Sequence, residues 1–278
     1  MTGTMRTTRG VLTLLTAIGS LVWAATAPAT AGTTRTPPAN YVALGDSYSS
    51  GLGAPPYDLD GSCQRSSQSY PSLWAAEHHP ASLVFLAWSE AKTTDVLLRQ
   101  IPAIPRRTGL VTITIGGNDA GFAPVVQTCT AASSDATCFA AVNVGEIFAV
   151  FVLPNLLART YAAIRQAAPH AQVVVLDYPR LFEQTPGCDD PLAPNLARRT
   201  KLNQGADVLD DVIYTVSLRF GLGFADVRSR FNGHGVCAGP HSWINGPSVP
   251  TTVGPYHPTP TGYHDGYLPA LDTAPAMS

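Results

Sequence analysis

The sequence predicts an α/β fold in which a parallel sheet carries helices on both faces. Short apolar runs with the length and composition of buried strands recur at residues 41–44, 83–87, 110–115, 172–176 and 224–227. Stretches with helical periodicity separate these runs, at residues 69–78, 93–100, 144–168 and 202–220. Strands that alternate with helices pair in parallel, because each crossover helix returns the chain to the end of the sheet where the previous strand began.

The individual elements carry further local signals. Pro71 stands near the start of the first helical stretch, where its missing N–H is not needed. Thr93 or Thr94 is the candidate cap of the second helical stretch. Residues 110–115 are β-branched nearly throughout, as expected of a central parallel strand. Pro154 interrupts the long helical stretch 144–168.

The amino terminus has the composition of a secretory signal peptide. Arg6 and Arg9 supply a positive region, residues 11–25 are apolar, and residues 29–31 have the small-x-small pattern of a cleavage site. The apolar run is too short for a comfortable membrane span. We expect cleavage after residue 31, with residue 27 as the second candidate.

The expected organisation is a signal peptide (1–31), a linker (32–39) and one domain (40–278) of a secreted protein. The net charge is −2 and only 13% of the residues are charged, without a basic stripe. Nucleic acid is therefore an unsuitable partner. We expect a monomer without stable membrane insertion.

The first strand run ends at Gly45-Asp46-Ser47, which places Ser47 on a turn from a strand into a helix. Ligands bind at the carboxyl ends of strands in α/β sheets. A helix start also offers free N–H groups to an oxyanion. Ser47 is therefore a candidate nucleophile, although a serine here equally suits a helix N-cap, and a nucleophile needs a base within reach.

Two later segments carry groups that complement Ser47. Residues 110–115 end at Gly116-Gly117-Asn118-Asp119, where Asn118 offers a side-chain donor, although a capped turn is the alternative. In Tyr256-His257-Pro258, the proline restrains His257 to an extended backbone. His257 is the candidate base, with competitors at His234, His241 and His264.

The chain has five cysteines, and export favours disulfides. Cys129 and Cys138 bracket a short polar segment and suggest a local disulfide. No Cys-x-x-Cys pair points to zinc. The odd number leaves one thiol without an intramolecular partner.

Three blocks together resemble the SGNH, or GDSL, hydrolase family, in particular secreted actinomycete lipases and esterases. They are Gly45-Asp46-Ser47, residues 116–119, and His257-Pro258-Thr259 with Gly262. The resemblance implies a flavodoxin-like three-layer α/β/α sandwich and hydrolysis of a small-molecule or lipid ester, without a metal or cofactor. The apolar residues 122–126, expected in a loop, favour acyl chains, although ordinary packing is an equal alternative for them.

The resemblance also implies roles for individual residues. Ser47 would be the nucleophile, His257 the general base, and an acyl-enzyme the intermediate. The oxyanion hole would consist of the backbone N–H of Ser47, the backbone N–H of Glu90 and the side chain of Asn118. Asp46 is interpreted as a residue that stabilises the turn.

This sequence departs from the family pattern beside the expected base. Many members carry an aspartate three residues before the histidine, where this chain has Gly254. We expect the Gly254 carbonyl to orient His257, which gives a Ser–His dyad. A remote acid, Asp177 or Asp226, is the alternative.

A further block of the family, at residues 88–91, departs more strongly, because relatives have Cys-Ser-Gly-Ala where this chain has Trp-Ser-Glu-Ala. Glu90 replaces the oxyanion-hole glycine, so the alternative function is a weakly active or inactive member that binds ester or glycan ligands. Trp88 replaces a cysteine whose partner would be Cys63. The resemblance therefore implies disulfides Cys129–Cys138 and Cys188–Cys237, with Cys63 as a free thiol.

Overall fold

The computed structural model describes residues 1–5 and 40–275. Residues 1–5 are exposed and have no regular secondary structure. The rest of the expected signal peptide and the expected linker, residues 6–39, lie outside the described residues, as do residues 276–278.

Within residues 40–275, five parallel strands form one sheet in the order β2-β1-β3-β4-β5. They are β1 (Tyr41–Gly45), β2 (Leu83–Phe85), β3 (Leu110–Thr114), β4 (Gln172–Leu176) and β5 (Gly223–Ala225). The sequence predicts each of these strands to within a few residues at either end. The order 2-1-3-4-5 is that of flavodoxin-like sheets, and it confirms the predicted fold class.

Strand β1 lies between β2 and β3, so the chain leaves it on one side and returns on the other. This reversal of strand order opens a crevice at the carboxyl ends of β1 and β3. Gly45 at the end of β1 pairs with Thr114 at the end of β3. Ser47 and Asn118 follow these two strand ends and therefore lie at the crevice.

Helices cover both faces of the sheet. They are α1 (Ser47–Ser50), α2 (Tyr70–His78), α3 (Thr93–Asp95), α4 (Phe122–Ala131), α5 (Asp135–Phe151), α6 (Leu153–Ala167), α7 (Leu196–Arg219), α8 (Val227–Arg230) and α9 (Leu268–Thr273). A π-helical turn (Val96–Gln100) continues α3, and another (Gly262–Tyr267) leads into α9. Helix α6 packs against α3 and α7 on one face, whereas α2 packs against α9 on the other.

The segment after β3 differs from the sequence prediction. Residues 122–126, expected in a loop, begin helix α4, and α5 starts at Asp135 rather than near residue 144. The side chain of Ser134 caps α5 by accepting from the N–H of Thr137 at 3.3 Å. Helix α4 buries Val126 and Cys129 against its neighbours, so tertiary packing stabilises an element that lacks a clear local signal.

Cysteine pairing agrees with the expectation. Disulfides join Cys129 to Cys138 and Cys188 to Cys237, and Cys63 is a free thiol. The first disulfide joins α4 to α5.

In the described part of the chain, no single helix is long and apolar enough to cross a membrane. Helices α5 and α6, bent by 48° at their junction, meet the length and composition criteria only when taken together.

Candidate active site

Ser47 is the first residue of α1, directly after the turn that ends β1. The side chain of Asp46 caps the helix by accepting from the N–H of Tyr48 at 3.0 Å, so the expected turn-stabilising role of Asp46 is confirmed. Gly45 has φ +122°, and a Cβ there would lie 2.4 Å from the carbonyl oxygen of Thr114. Only glycine allows this close approach of the strand ends.

His257 lies opposite Ser47, and the two residues are only 8% and 6% exposed. The distance between His257 Nε2 and Ser47 Oγ is 2.8 Å, and His257 Nδ1 lies 2.8 Å from the carbonyl oxygen of Pro255. A carbonyl only accepts, so Nδ1 carries the proton in the neutral ring and Nε2 presents a lone pair to the Ser47 hydroxyl. This geometry suits removal of a proton from Ser47.

The expectation that the Gly254 carbonyl orients His257 is wrong. The Gly254 carbonyl accepts from the backbone N–H of His257 at 3.4 Å, which closes a turn over residues 254–257. That turn directs the Gly254 oxygen to the backbone and leaves the Pro255 oxygen facing the ring. The orienting group is still a backbone carbonyl, one residue further along the chain.

The surroundings of His257 keep its ring neutral. Burial lowers the pKa of His257 to about 4. The hydrogen bond to the Pro255 carbonyl acts in the opposite direction and raises the pKa, but its effect is smaller. The ring centroids of Tyr48 and Phe122 lie 4.7 and 6.1 Å from that of His257. At neutral pH the ring is therefore ready to accept a proton.

Three potential hydrogen-bond donors border the same crevice. The N–H groups of Ser47 and Glu90 have no acceptor among the described residues. One hydrogen of the Asn118 amide is bound to the carbonyl of Ala91, with a nitrogen-to-oxygen distance of 3.0 Å, and the other is unused in the same part of the chain. Ser47, Glu90 and Asn118 all line one cleft, so their free donors are available to a ligand.

Hydrogen bonds join the segment 91–93 to Asn118 and Asp119. Asn118 binds the carbonyl of Ala91, and the Asp119 carboxylate accepts from the N–H and hydroxyl of Thr93 at 3.0 and 2.7 Å. The N–H of Ser89 donates to the carbonyl of Cys63 at 3.2 Å. These contacts fix the position of the backbone around Glu90.

Glu90 itself has φ +69°, a left-handed conformation that favours glycine. The backbone at this position has the conformation that a glycine would adopt without strain. The residue is exposed at the rim of the cleft and makes no ion pair with Lys92. Among the described residues, no cation pairs with the Glu90 carboxylate.

A buried hydrogen-bond chain connects three strand ends. The N–H of Gly117 donates to the Tyr178 hydroxyl at 3.1 Å, and that hydroxyl donates to Asp46 Oδ2 at 2.5 Å. Burial raises the pKa of Asp46 to about 7, although the bonds from Tyr178 and Tyr48 lower it. Tyr178 thereby holds the loop that carries Asn118 against the turn that carries Ser47.

The cleft has a volume of about 500 Å³. Its floor contains Ser47, Asn118 and His257, and its walls come from α4 and from the segment 247–256. Apolar side chains of Leu52, Phe122, Val126 and Pro247 line much of it. The cleft is therefore large enough and apolar enough for an organic ligand next to a serine and a histidine.

The alternative acids do not contact His257. One carboxylate oxygen of Asp177 accepts from the N–H groups of Val227 and Arg228 at 2.6 and 3.3 Å. Asp226 caps α8 by accepting from the N–H of Ser229 at 2.9 Å. Both carboxylates accept hydrogen bonds from backbone N–H groups at the start of α8, so neither orients His257 in this structure.

The competing histidines lie elsewhere. His234 stacks on Trp243 and contacts the carbonyl of His241, and His264 pairs with Asp265. Within residues 1–5 and 40–275, no group of three or more His, Cys, Asp or Glu residues is arranged to hold a metal ion.

Sequence motifs identified Ser47, His257 and Asn118 as candidates, and these three residues line the same cleft in the structure. No sequence motif pointed to Pro255 or Tyr178. Pro255 contributes only a carbonyl, which every residue has. Tyr178 follows the end of β4, and this position in the sequence gives only a weak indication that Tyr178 contacts Asp46.

A profile of the GDSL-like lipase/acylhydrolase family matches residues 43–264. The chain is 41% identical to Lipase 1 of Streptomyces coelicolor over 235 residues, which cover 84% of this chain and 86% of that protein. The chain therefore belongs to the GDSL-like lipase/acylhydrolase family and is a hydrolase of the lipase/esterase type.

Two solved structures agree with this assignment. The crystal structure of phospholipase A1 from Streptomyces albidoflavus NA297 superposes with a TM-score of 0.81 at 42% identity, covering 85% of this chain and 99% of that chain. An extracellular lipase from Streptomyces rimosus gives a TM-score of 0.79, also at 42% identity and with the same coverage. Both support the three-layer α/β/α sandwich.

Proposed function

We propose that this protein is a secreted serine esterase in which Ser47 is the nucleophile and His257 the general base. The observation that carries the proposal is the 2.8 Å contact between Ser47 Oγ and His257 Nε2, with Nδ1 oriented by the Pro255 carbonyl. A serine and a neutral histidine in this arrangement form an activated nucleophile without a carboxylate.

The reaction has two halves. His257 Nε2 takes the proton of Ser47 as Oγ attacks the ester carbonyl, and the resulting oxyanion is stabilised by the N–H groups of Ser47 and Glu90 and by Asn118 Nδ2. Collapse expels the alcohol, which receives the proton from His257, and leaves an acyl-enzyme on Ser47. In the second half, His257 takes a proton from water as the water oxygen attacks the acyl carbon, and His257 returns that proton to Ser47 Oγ as the carboxylic acid leaves.

Secretion rests on separate support. Residues 1–31 have the composition of a signal peptide, and the folded part contains two disulfides, which are typical of exported proteins. One relative is described as extracellular. We propose that the exported domain starts at residue 32.

The alternative function, binding of esters or glycans without hydrolysis, depends on Glu90 blocking the oxyanion hole. The N–H of Glu90 is free and its side chain is exposed at the rim, which favours hydrolysis. A fluorophosphonate probe separates the two functions, because it reacts only with an activated serine. We expect labelling of Ser47 in the native protein, located by peptide mass, whereas an unlabelled folded protein would favour the binding function.

We expect Glu90→Gly to increase turnover of p-nitrophenyl butyrate by roughly threefold to tenfold. A charge a few ångströms from a developing oxyanion in a wet cleft opposes it by about 1 kcal/mol, which corresponds to about fivefold in rate. Glycine also removes the strain of a left-handed glutamate, about 1 kcal/mol of stability. Steady-state kinetics and thermal unfolding measure the two effects.

Glu90→Gln is the matched control, because it removes the charge and keeps the strain. If the charge is responsible, Glu90→Gln gains activity without gaining stability. If neither variant is faster than the native protein, Glu90 does not oppose the oxyanion.

The pH dependence follows from the lowered pKa of His257. Protonated His257 cannot accept the Ser47 proton, and its pKa lies at about 4. We therefore expect kcat/KM to stay level from about pH 5 to pH 7 and to fall about tenfold per pH unit below about pH 4. Circular dichroism at each pH separates loss of activity from acid unfolding. An acid limb centred near the ordinary histidine pKa of about 6.5 would contradict the role of burial.

A further inference from the structure

A second cavity, of about 70 Å³, lies behind the candidate active site. Helices α4, α5 and α7 form most of its wall, together with residues after β3 and β4. The lining is mostly apolar, and its polar side chains already have partners: the Tyr178 hydroxyl binds Asp46, and Glu146 pairs with Lys201 at 2.8 Å. A cavity without free polar partners stays dry and takes up apolar groups.

Small residues keep this space open. Ala149 of α5 and Ala206 of α7 line the cavity beside Gly145 and Gly205. A Cβ on Gly205 would lie 2.8 Å from Val142 Cγ1, so α5 and α7 approach closely next to the cavity. Larger apolar residues at positions 149 and 206 would fill the void and add packing contacts. The chain has alanine at both positions.

The cavity adjoins the active-site cleft through shared walls. Phe122 and Val126 line both spaces, and Tyr48, which also lines the cavity, directly follows Ser47. The Phe122 ring lies 6.1 Å from the rings of both Tyr48 and His257. The rings of Tyr48 and Phe122 therefore form the partition between the catalytic pair and the cavity.

We propose that the cavity behind Phe122 is the pocket for the acyl chain of the ester, so that the substrate carries an alkyl chain long enough to pass Phe122. This assignment rests on the proposed function. In this proposal the acyl chain of an ester bound at Ser47 runs past Phe122 into the cavity, and the chain gains about 0.8 kcal/mol, close to fourfold in kcat/KM, for each methylene that leaves water. The gain stops when the 70 Å³ are filled.

The test measures kcat/KM on p-nitrophenyl esters from butyrate to palmitate for the native protein, Ala149→Leu, Ala206→Leu and the control Ala140→Leu. Ala140 lies on α5 as well, but it is exposed and does not line the cavity. We expect the decanoate-to-butyrate ratio of kcat/KM to fall at least about tenfold in both filled variants, since each excluded methylene costs close to fourfold. The ratio of the control stays at the native value.

An unchanged ratio in both filled variants would overturn the proposal. So would an equal loss on all chain lengths in Ala206→Leu with a native melting temperature. Ala206 is only partly buried, so this variant remains informative if Ala149→Leu does not fold.

A binding measurement separates the pocket from the catalytic function. Ser47→Ala protein is titrated with decanoate in a calorimeter, and butyrate is the short-chain control ligand. Binding that Ala149→Leu or Ala206→Leu weakens at least about tenfold supports the pocket even if no ester is hydrolysed. Hydrolysis of esters without such binding and without a chain-length effect would overturn the pocket and leave the esterase function intact.

Discussion

Replacement of Ser47 by alanine is expected to lower kcat on p-nitrophenyl butyrate by about 10⁴- to 10⁶-fold, with little change in KM. Without Oγ no acyl-enzyme forms, and His257 has no hydroxyl to activate at the 2.8 Å contact. What remains is attack by water on an ester held in the cleft. The release of p-nitrophenol by purified protein measures the loss.

Ser50→Ala is the matched control for this substitution. Ser50 lies in the same short helix, is buried, and its hydroxyl lies 3.2 Å from the carbonyl oxygen of Ser47. We expect it to cost about 1 kcal/mol of stability and to keep kcat within roughly threefold of the native value. A loss below about tenfold in Ser47→Ala, or equal losses in the two variants, would contradict the assignment of Ser47 as nucleophile.

Replacement of Asn118 by alanine is expected to lower kcat by about 10²- to 10³-fold, mostly without affecting KM. The free hydrogen of the Asn118 amide borders the cleft beside Ser47, where the proposed mechanism develops the charge of the tetrahedral intermediate. A donor that acts on this charge contributes to the transition state more than to substrate binding. Steady-state kinetics on the butyrate ester measure both constants.

Asn118 also joins two loops through the carbonyl of Ala91, so the control must loosen the same loops without removing the donor. Thr93→Val does this, because it removes the 2.7 Å bond from the Thr93 hydroxyl to Asp119, and Thr93 does not line the cleft. We expect a small loss of stability and less than about a tenfold change in kcat. Equal loss of kcat in the two variants would assign Asn118 to loop positioning alone.

The strands illustrate what local sequence determines. Residues 110–114 and 172–176 were predicted almost to the residue, because β-branched runs of this length favour buried parallel strands and end where small polar residues begin. Helix α4 was missed. Its stability depends on burial against its neighbours, and residues 122–126 carry no capping or periodic signal that distinguishes a helix from an apolar loop.

The candidate site divides in the same way. Short motifs place a polar side chain directly after a strand, as at Ser47 and Asn118, or before a proline, as at His257. The residue types in these motifs therefore indicate the proposed roles of nucleophile, hydrogen-bond donor and base. The carbonyl that orients His257 was assigned to the wrong residue. The choice between Gly254 and Pro255 depends on the direction in which the turn over residues 254–257 points each carbonyl oxygen. The identities of the side chains do not determine that direction.

The sequence by itself determined the order of strands and helices, the family blocks and the residue types available for catalysis, because these depend on neighbours along the chain. Only the tertiary structure decided which groups meet. The contact between Tyr178 and Asp46 spans 132 residues, and the apolar cavity exists only where α4, α5 and α7 come together. Such contacts result from packing among distant segments, so they became visible only in the folded chain.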